Sequence, residues 1–397
     1  MDLLPPWATD ARLALQAEAR AFATGTVLPV ADELDPQKGE MPADLVQAMA
    51  DKGWFGITIP ASSGGLGLGV FEYCLVSEEL ARAWLSVASI LARGQGLGTQ
   101  VHDAVRREAL LKRSAAGDWI GSIALSEPDA GSDLAGVATT ATRVGDHWVL
   151  KGHKRWAGNA LAADFVEVLA RVREPAKGEP RSAGLEPFLV VKDRGAFPEG
   201  MTGTTIDKIG YHGFLTWDLV LDGVRVPDSD RLTGLYGDAG ADEDEGGFAS
   251  VQRGLNIARV HTAARAVGVA RGALEDTTAY LQEREQFGHP IGDFQALRFA
   301  LADMAADVAQ GRAMWCQVAH LLDEGMPCES EAAMVKLQCT EMAVRVTNQA
   351  MQLHGGNGYT TERRVERYWR DARLTTIFEG TSEIQRRIIS DRLLPRA

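Results

Sequence analysis

GVATTATRVGDHWVLKGHKRW (136–156) decides the fold of this chain. Two runs rich in β-branched and aromatic residues flank Gly145-Asp146, a dipeptide suited to a two-residue hairpin turn. The stretch therefore reads as an antiparallel pair. DFVEVLARV (164–172), PFLVVKD (187–193) and TWDLVLDGVRVP (216–227) read as further strands punctuated by Gly and Pro. No helix-length segment alternates with them, so parallel βαβ units are not expected. A small barrel or sandwich fits residues from about 119 to 236.

Helical patterns lie on both sides. On the N-terminal side, Thr9 or Asp10 can cap a helix beginning ARLALQAEARAF. Leu80, Trp84, Val87 and Leu91 recur at helical spacing and predict one buried face. SSGGLGLG (62–69) lacks the lysine of a phosphate loop and opens no βαβ unit, so it reads as an irregular connection. On the C-terminal side, an acidic linker, YGDAGADEDEGG (236–247), reads as a solvated loop. Helices are predicted after it over about 248–284, 293–325 and 329–354, then near 361–372 and 381–393, as an antiparallel bundle. The predicted fold is multidomain α+β, with an α-helical N-terminal domain (1–118), a middle β-domain (119–236) and a C-terminal helical bundle (237–397).

Composition excludes some functions. The chain has 397 residues, 45% of them apolar, which is globular rather than disordered. A formal net charge of −13 argues against nucleic-acid binding, which needs a basic surface. A few placed arginines would still serve an anionic small ligand. Cys74, Cys316, Cys328 and Cys339 show no paired metal-type spacing, and so few cysteines read as reduced and intracellular. No basic leader with an apolar core opens the chain, and no window has the length of a membrane span. A cytoplasmic protein without a membrane span is expected.

Five stretches can carry chemistry, and each has a plainer reading. In ALSEPDAGSD (124–133), Ser126, Ser132 and free backbone N–H groups can hold a polar heterocycle or phosphate, or form an ordinary turn. In KRWAGNA (154–160), Trp156 can stack on an aromatic cofactor or fill core. In REQFGHPI (284–291), Arg284 is a ligand for oxyanions or a helix-end cation. In QLHGGNGYT (352–360), Gly355 and Gly356 close a helix or let a ligand approach the backbone. In TTIFEGTSEIQRR (375–387), Glu379 follows Ile377 and Phe378 at the start of a helix. It either faces water and favours the helix N-terminus, or is a general base in an apolar pocket.

Taken together and in order, ALSEPDAGSD, KRWAGNA, REQFGHPI, QLHGGNGYTTE and RDARLTTIFEGTSEIQ resemble the acyl-CoA dehydrogenase family over nearly the whole chain. The resemblance implies that family's fold, an α-helical domain, a middle β-domain and a four-helix bundle, and non-covalent FAD. It implies α,β-dehydrogenation of an acyl-CoA thioester to a trans-2-enoyl-CoA, with hydride passing to flavin N5 and electrons to electron-transfer flavoprotein. By position Glu379 matches the base that takes the α-proton. Apolar Ile377 and Phe378 would raise its basicity by desolvation. Leu125, Ser126 and Ser132 match flavin and substrate contacts, and Trp156 and Gly158 match the wall beside the isoalloxazine. Arg284, Phe287, Gln295, Gln352, Gly355 and Gly356 match residues that hold the ADP half of FAD across a subunit boundary, implying a dimer of dimers. Thr381 and Glu383 match positions near the cofactor after the base. Asn256 and Arg259 match the stretch lining the pantetheine channel and catalytic centre. Ala258 stands where some members carry the base, so Glu379 has no rival there.

Two departures stand out. Trp156-Ala157-Gly158-Asn159 lacks the threonine whose hydroxyl usually bonds flavin N5, which bears on oxygen reactivity. Arg93, in ILARGQGLG, aligns with the region closing the far end of the acyl pocket. It either turns outward or pairs with an acid, or it meets a polar or anionic acyl tail. An acyl-CoA oxidase, and a non-catalytic acyl-CoA-binding subunit of a hetero-oligomer, are the competing readings.

Overall fold

The computed structural model describes residues 2–234 and 248–394. The acidic linker 236–247 lies outside the described residues. Helix α1 (Asp10–Phe22) starts at Thr9, whose hydroxyl accepts from Arg12 N. The chain runs on through a π-helical turn, Ala23–Val27, into α2 (Leu28–Leu34). Then come α3 (Ala43–Asp51), α4 (Val70–Ala83), α5 (Leu85–Leu91) and α6 (Ala104–Ala115). Leu80, Trp84, Val87 and Leu91 are all buried, but they do not share one helix. Trp84 is extended (φ −157, ψ 117) and breaks the predicted element into α4 and α5. Burying the indole outweighs continuity of the helix, because periodicity reports a buried face and not an unbroken backbone.

The glycine-rich stretch 62–69 is an irregular connection, as its sequence suggests. It ends at the N-terminus of α4, whose free Val70 and Phe71 N–H groups are taken by the Asp323 carboxylate at 2.6 and 3.0 Å. That end of the helix is satisfied by the protein itself.

The strands are β1 (Gly121–Ala124), β2 (Thr140–Val144), β3 (His147–Gly158), β4 (Phe165–Arg171), β5 (Leu185–Val191), β6 (Met201–Thr205) and β7 (Thr216–Pro227). The β2–β3 pair closes at Val144↔His147 around Gly145 (φ 65) and Asp146, so the predicted two-residue turn is present. The strands form one seven-stranded curled sheet in the order β1-β4-β2-β3-β7-β6, with β5 also on β4. β1 and β4 run parallel, yet β2 and β3 rather than a helix lie between them in the chain. The sheet keeps its own core around Leu150, Val168, Phe188 and Leu219.

The C-terminal part comprises α7 (Phe248–Glu283), the two-residue strands β8 (Glu285–Gln286) and β9 (His289–Pro290), α8 (Gln295–Asp323), α9 (Glu329–Leu353), α10 (Val365–Thr375) and α11 (Ser382–Leu393). A second, larger core joins α4 and α5 to α7, α8 and α9. At Gly268 a Cβ would come within 2.2 Å of Glu78 O, so glycine is what lets α7 lie against α4. Beside that contact the core is ionic. Glu78 and Glu79 of α4 are fully buried against Arg271 of α7, and Trp315 Nε1 of α8 donates to Glu78 at 2.8 Å. Buried charges persist only when paired and hydrogen-bonded, as these are. They hold α7 in register beside the N-terminal helices, and α7 carries much of the site.

Candidate active site

Glu379 sits in the short connection between α10 and α11. Its backbone is left-handed (φ 53), as is Gly380 after it (φ 89). A non-glycine residue there is strained and needs fixing from outside. Lys336 Nζ of α9 donates to Gly380 O at 2.7 Å, and Gln385 Nε2 donates to the same oxygen at 3.0 Å. Burial pulls the Lys336 ammonium down to about 8, against the opposing pull of Glu379. Thr381, half-buried, caps α11 through Ile384 N, and exposed Glu383 pairs with Arg386. Among the described residues, the Glu379 N–H makes no hydrogen bond.

The carboxylate of Glu379 turns toward α7. Oε1 accepts from Arg265 Nη2 at 2.8 Å and Oε2 accepts from Thr262 Oγ1 at 2.7 Å. Thr262 in turn accepts from Arg265 Nη2 at 2.9 Å. Arg265 is fully buried, donates from Nη1 to Ser89 Oγ of α5 at 2.8 Å, and lies 4.9 Å over the Phe378 ring. The expected apolar pocket is therefore corrected. Ile377 is 49% exposed and points away, and the carboxylate rests on a guanidinium and a hydroxyl. The left-handed backbone carries residue 379 off the side of the loop that holds Ile377. Neither Arg265 nor Thr262 was foreseen, because they lie more than a hundred residues away in sequence with no local signal.

One turn earlier on α7, Asn256 and Arg259 are buried together, with Arg259 Nη1 donating to Asn256 Oδ1 at 2.7 Å. Beyond Arg265 are Tyr73 and Tyr211, both fully buried, and His261, which stacks on Tyr73 at 4.3 Å and bonds Ser77. Burial, helped by the charges of Arg265 and Arg93, pushes the His261 imidazole well below its ordinary range and keeps it neutral.

The sheet supplies another wall. Trp156, near the end of β3, has φ 69 and is 54% exposed. An indole in a left-handed conformation with its face half bare is held there for a reason other than packing. Arg155 N donates to Ser126 O at 2.8 Å, tying the tryptophan strand to the ALSEPDAGSD loop. Within that loop Leu125 is buried, and its carbonyl accepts from Lys154 Nζ at 3.0 Å. Lys154 also pairs with Glu127 at 2.8 Å, whose carboxylate takes the Ala138 and Thr139 N–H groups. Burial lowers the Lys154 ammonium to about 8 despite Glu127. Lys154 and Glu127 thus build the loop that presents Ser126, half-buried, and Ser132, exposed. Their charged pair was visible in the sequence only as two residues of separate motifs.

Gly158, two residues past Trp156, is enclosed. A Cβ there would lie 2.3 Å from Phe214 Cε1 and 3.4 Å from Arg93 Nη2. The phenyl ring of Phe214 stands where a larger side chain at 158 would go. Arg93 itself is half-buried, with its guanidinium 5.4 Å from the Phe214 ring centre.

Arg284, Phe287, Gln295, Gln352, Gly355 and Gly356 gather elsewhere, around the end of α7 and of α9, and all are exposed. Phe287 (φ 57) is 90% exposed, and Arg284 makes no ion pair among the described residues. A cavity of about 370 Å³ lined by Asp32, Asp276, Tyr280, His354 and Arg364 reaches neither Glu379 nor Trp156.

Three family models match the chain in order: acyl-CoA dehydrogenase N-terminal domain over residues 9–117, middle domain over 122–224 and C-terminal domain over 245–394. The chain belongs to the acyl-CoA dehydrogenase family. Benzylmalonyl-CoA dehydrogenase of Aromatoleum aromaticum is 38% identical to it, over 96% of this chain and 97% of that protein. The caffeyl-CoA reductase–Etf complex subunit CarC of Acetobacterium woodii is 35% identical, over 92% of this chain and 93% of its own length. Among solved structures, glutaryl-CoA dehydrogenase of Mycobacterium smegmatis in complex with FADH2 superposes with a TM-score of 0.87 at 27% identity, covering 98% of this chain and 96% of that one. Family members are FAD-dependent enzymes, and the residues here fit that cofactor. The half-exposed Trp156 indole, with the Arg155 guanidinium 4.9 Å from its ring centre, suits a flat ring beside a rigid polar loop. The unpaired Arg284 with bare Phe287 suits a pyrophosphate and adenine.

Proposed function

We propose that the chain dehydrogenates an acyl-CoA thioester between its α and β carbons, with Glu379 as the base. The observation that carries this is Glu379 itself. One strained residue offers both a carboxylate fixed through each oxygen and an unpaired backbone N–H. An α-proton beside a thioester is weakly acidic, so its removal needs an acceptor and a donor to the thioester oxygen. The carboxylate is the acceptor and the Glu379 N–H is that donor. Thr262 and Arg265 aim the carboxylate. As the proton arrives, the Arg265 charge is freed from its partner while negative charge grows on the thioester, and the guanidinium then stabilises the substrate's charge. Arg259 and Asn256 line the approach. FAD, when bound, accepts the β-hydride. The product is a 2-enoyl thioester.

Arg284 follows Thr262 by roughly 20 residues along α7, about 30 Å at helical rise. Its cluster therefore lies far from the Glu379 of its own chain. That separation supports an FAD shared between subunits, with Arg284, Phe287, Gln295, Gln352, Gly355 and Gly356 holding the ADP half for a neighbour in a dimer of dimers. Electrons pass onward to electron-transfer flavoprotein, a reading supported by the Etf-linked relative. We place the enzyme in the cytoplasm. Its four cysteines are buried and form no disulfide, and no described helix is long and apolar enough to cross a membrane.

Anaerobic mixing of the FAD-loaded protein with acyl-CoA thioesters tests this. Bleaching of the oxidised flavin is expected. Protein that no acyl-CoA bleaches would overturn the assignment. The absence of a hydroxyl at Gly158 favours one competing reading, an oxidase, which rapid oxygen consumption by the reduced enzyme would establish.

A further inference from the structure

Resting on the acyl-CoA reading above, we propose that the acyl chain accepted here carries a second carboxylate, which Arg93 receives. Arg93 comes just after α5, and its Nε is shielded from solvent without a hydrogen-bond partner. Among the described residues its guanidinium makes no ion pair or hydrogen bond. What it faces is the Phe214 ring at 5.4 Å and the flank of Gly158. The Nε of this half-buried guanidinium has given up water without gaining an acceptor, and the group has a ring rather than an anion for company, which costs free energy that a ligand's carboxylate would recover.

The neighbouring charges point the same way. Arg265 is neutralised by Glu379. His261, close to both arginines, is held neutral. Tyr73 and Tyr211 also lie within reach of the Arg93 charge, and burial raises both phenols, so they stay protonated. Beside the Tyr211 and Phe214 rings, then, the Arg265 charge is met by Glu379 and the Lys208 charge by Asp371, whereas no carboxylate among the described residues pairs with Arg93. A plain alkyl tail would leave it so. A carboxylate on the tail balances it and can take two parallel N–H bonds from the same fork. The rings of Tyr211, Phe214 and Phe378 pack on one another beside Arg93, so the contact would be less screened there than in open water.

The test uses the FAD-loaded enzyme and pairs of thioesters matched in length, with and without a terminal carboxylate: glutaryl- and pentanoyl-CoA, adipyl- and hexanoyl-CoA, methylsuccinyl- and 2-methylbutyryl-CoA. Specificity constants are measured with an artificial electron acceptor, alongside the flavin spectrum and FAD content. The wild type is expected to favour the carboxylated member of at least one pair. In Arg93→Gln the ratio of kcat/KM within that pair should fall ~10–100-fold, the worth of a charged hydrogen bond. Arg93→Lys, which keeps the charge but not the fork, should fall between. FAD content and spectrum should match the wild type. Preference for the alkyl member in every pair would overturn the proposal. So would an Arg93→Gln ratio equal to wild type, or a shifted flavin spectrum with equal losses on both members, which would assign Arg93 to the cofactor. Failure of every thioester to bleach the flavin would instead overturn the acyl-CoA reading beneath it.

Discussion

Gly158→Ala is the smallest change that probes how the flavin-side wall is built. The added Cβ would lie 2.3 Å from Phe214 Cε1 and 3.0 Å from Cζ. Carbon atoms in contact prefer about 3.5–4.0 Å, so the ring must retreat by more than ~1 Å. It has little room to do so. Phe214 is buried, with Tyr211 5.1 Å away on one side and the Arg93 guanidinium 5.4 Å away on another. Overpacking of that kind costs ~1–3 kcal/mol. The assay is thermal unfolding at matched protein and FAD concentrations, since ligand and assembly both shift the midpoint. Gly158→Ala should unfold below the wild type. Phe214→Ala removes the obstructing ring, so the double variant should be less destabilised than the two single losses added, with a coupling of ~1–2 kcal/mol. Gly158→Thr, which would otherwise restore a hydroxyl at this position, should alter flavin spectrum or oxygen reactivity in a folded protein only with Phe214→Ala beside it. If Gly158→Ala unfolds with the wild type and the cycle shows no coupling, Phe214 does not occupy that space and the reasoning fails.

Other outcomes follow from the same site. Purified protein should be yellow, with one non-covalent FAD per chain. Colourless protein that takes up no added FAD would remove the cofactor assignment. Glu379→Gln keeps the shape, an amide oxygen to accept from Arg265 and an NH2 for the Thr262 oxygen, whose hydroxyl can donate to Ala258 O instead, so FAD and acyl-CoA should still bind while flavin reduction slows by ~10²–10⁴-fold; reduction at the wild-type rate would put the base elsewhere. Acid stability should report Glu79. Burial alone would raise its carboxyl, but the Arg271 charge and the Arg20 bond outweigh burial and hold it at about 2. With the folded value below the unfolded one, its stabilisation is present above the ordinary carboxyl range and is lost as pH falls toward 2. The gap in unfolding temperature between wild type and Glu79→Gln should therefore narrow from pH 5 to pH 2, and a constant gap would contradict the pairing.

The α, β, α order was legible because it rests on local physics. Hydrophobic period, caps and turn residues act over a few positions, so Thr9 capped α1 and Gly145-Asp146 turned β2 into β3 as their neighbours dictate. Glu379 was legible as a candidate because a lone carboxylate follows Ile377 and Phe378 at a helix start, in a stretch that resembles the family's base motif. Its surroundings were not. Reading outward from Ile377 and Phe378 predicted an apolar pocket, whereas the carboxylate meets Arg265 and Thr262, brought over by the packing of α7 against the N-terminal helices. The same holds for Trp84, where burial of one indole interrupts a regular pattern, and for Lys154 and Glu127, whose pairing needs the loop after β1 to fold beside β3. It holds again for Gly158, a missing hydroxyl in the sequence and a space filled by Phe214 in the fold. Sequence alone determined the elements, their order and which residues were chemically able to act. Tertiary structure alone decided what each of those residues faces, because side-chain charge and volume act through space over a few ångströms, and the chain positions that share such a space are far apart in sequence.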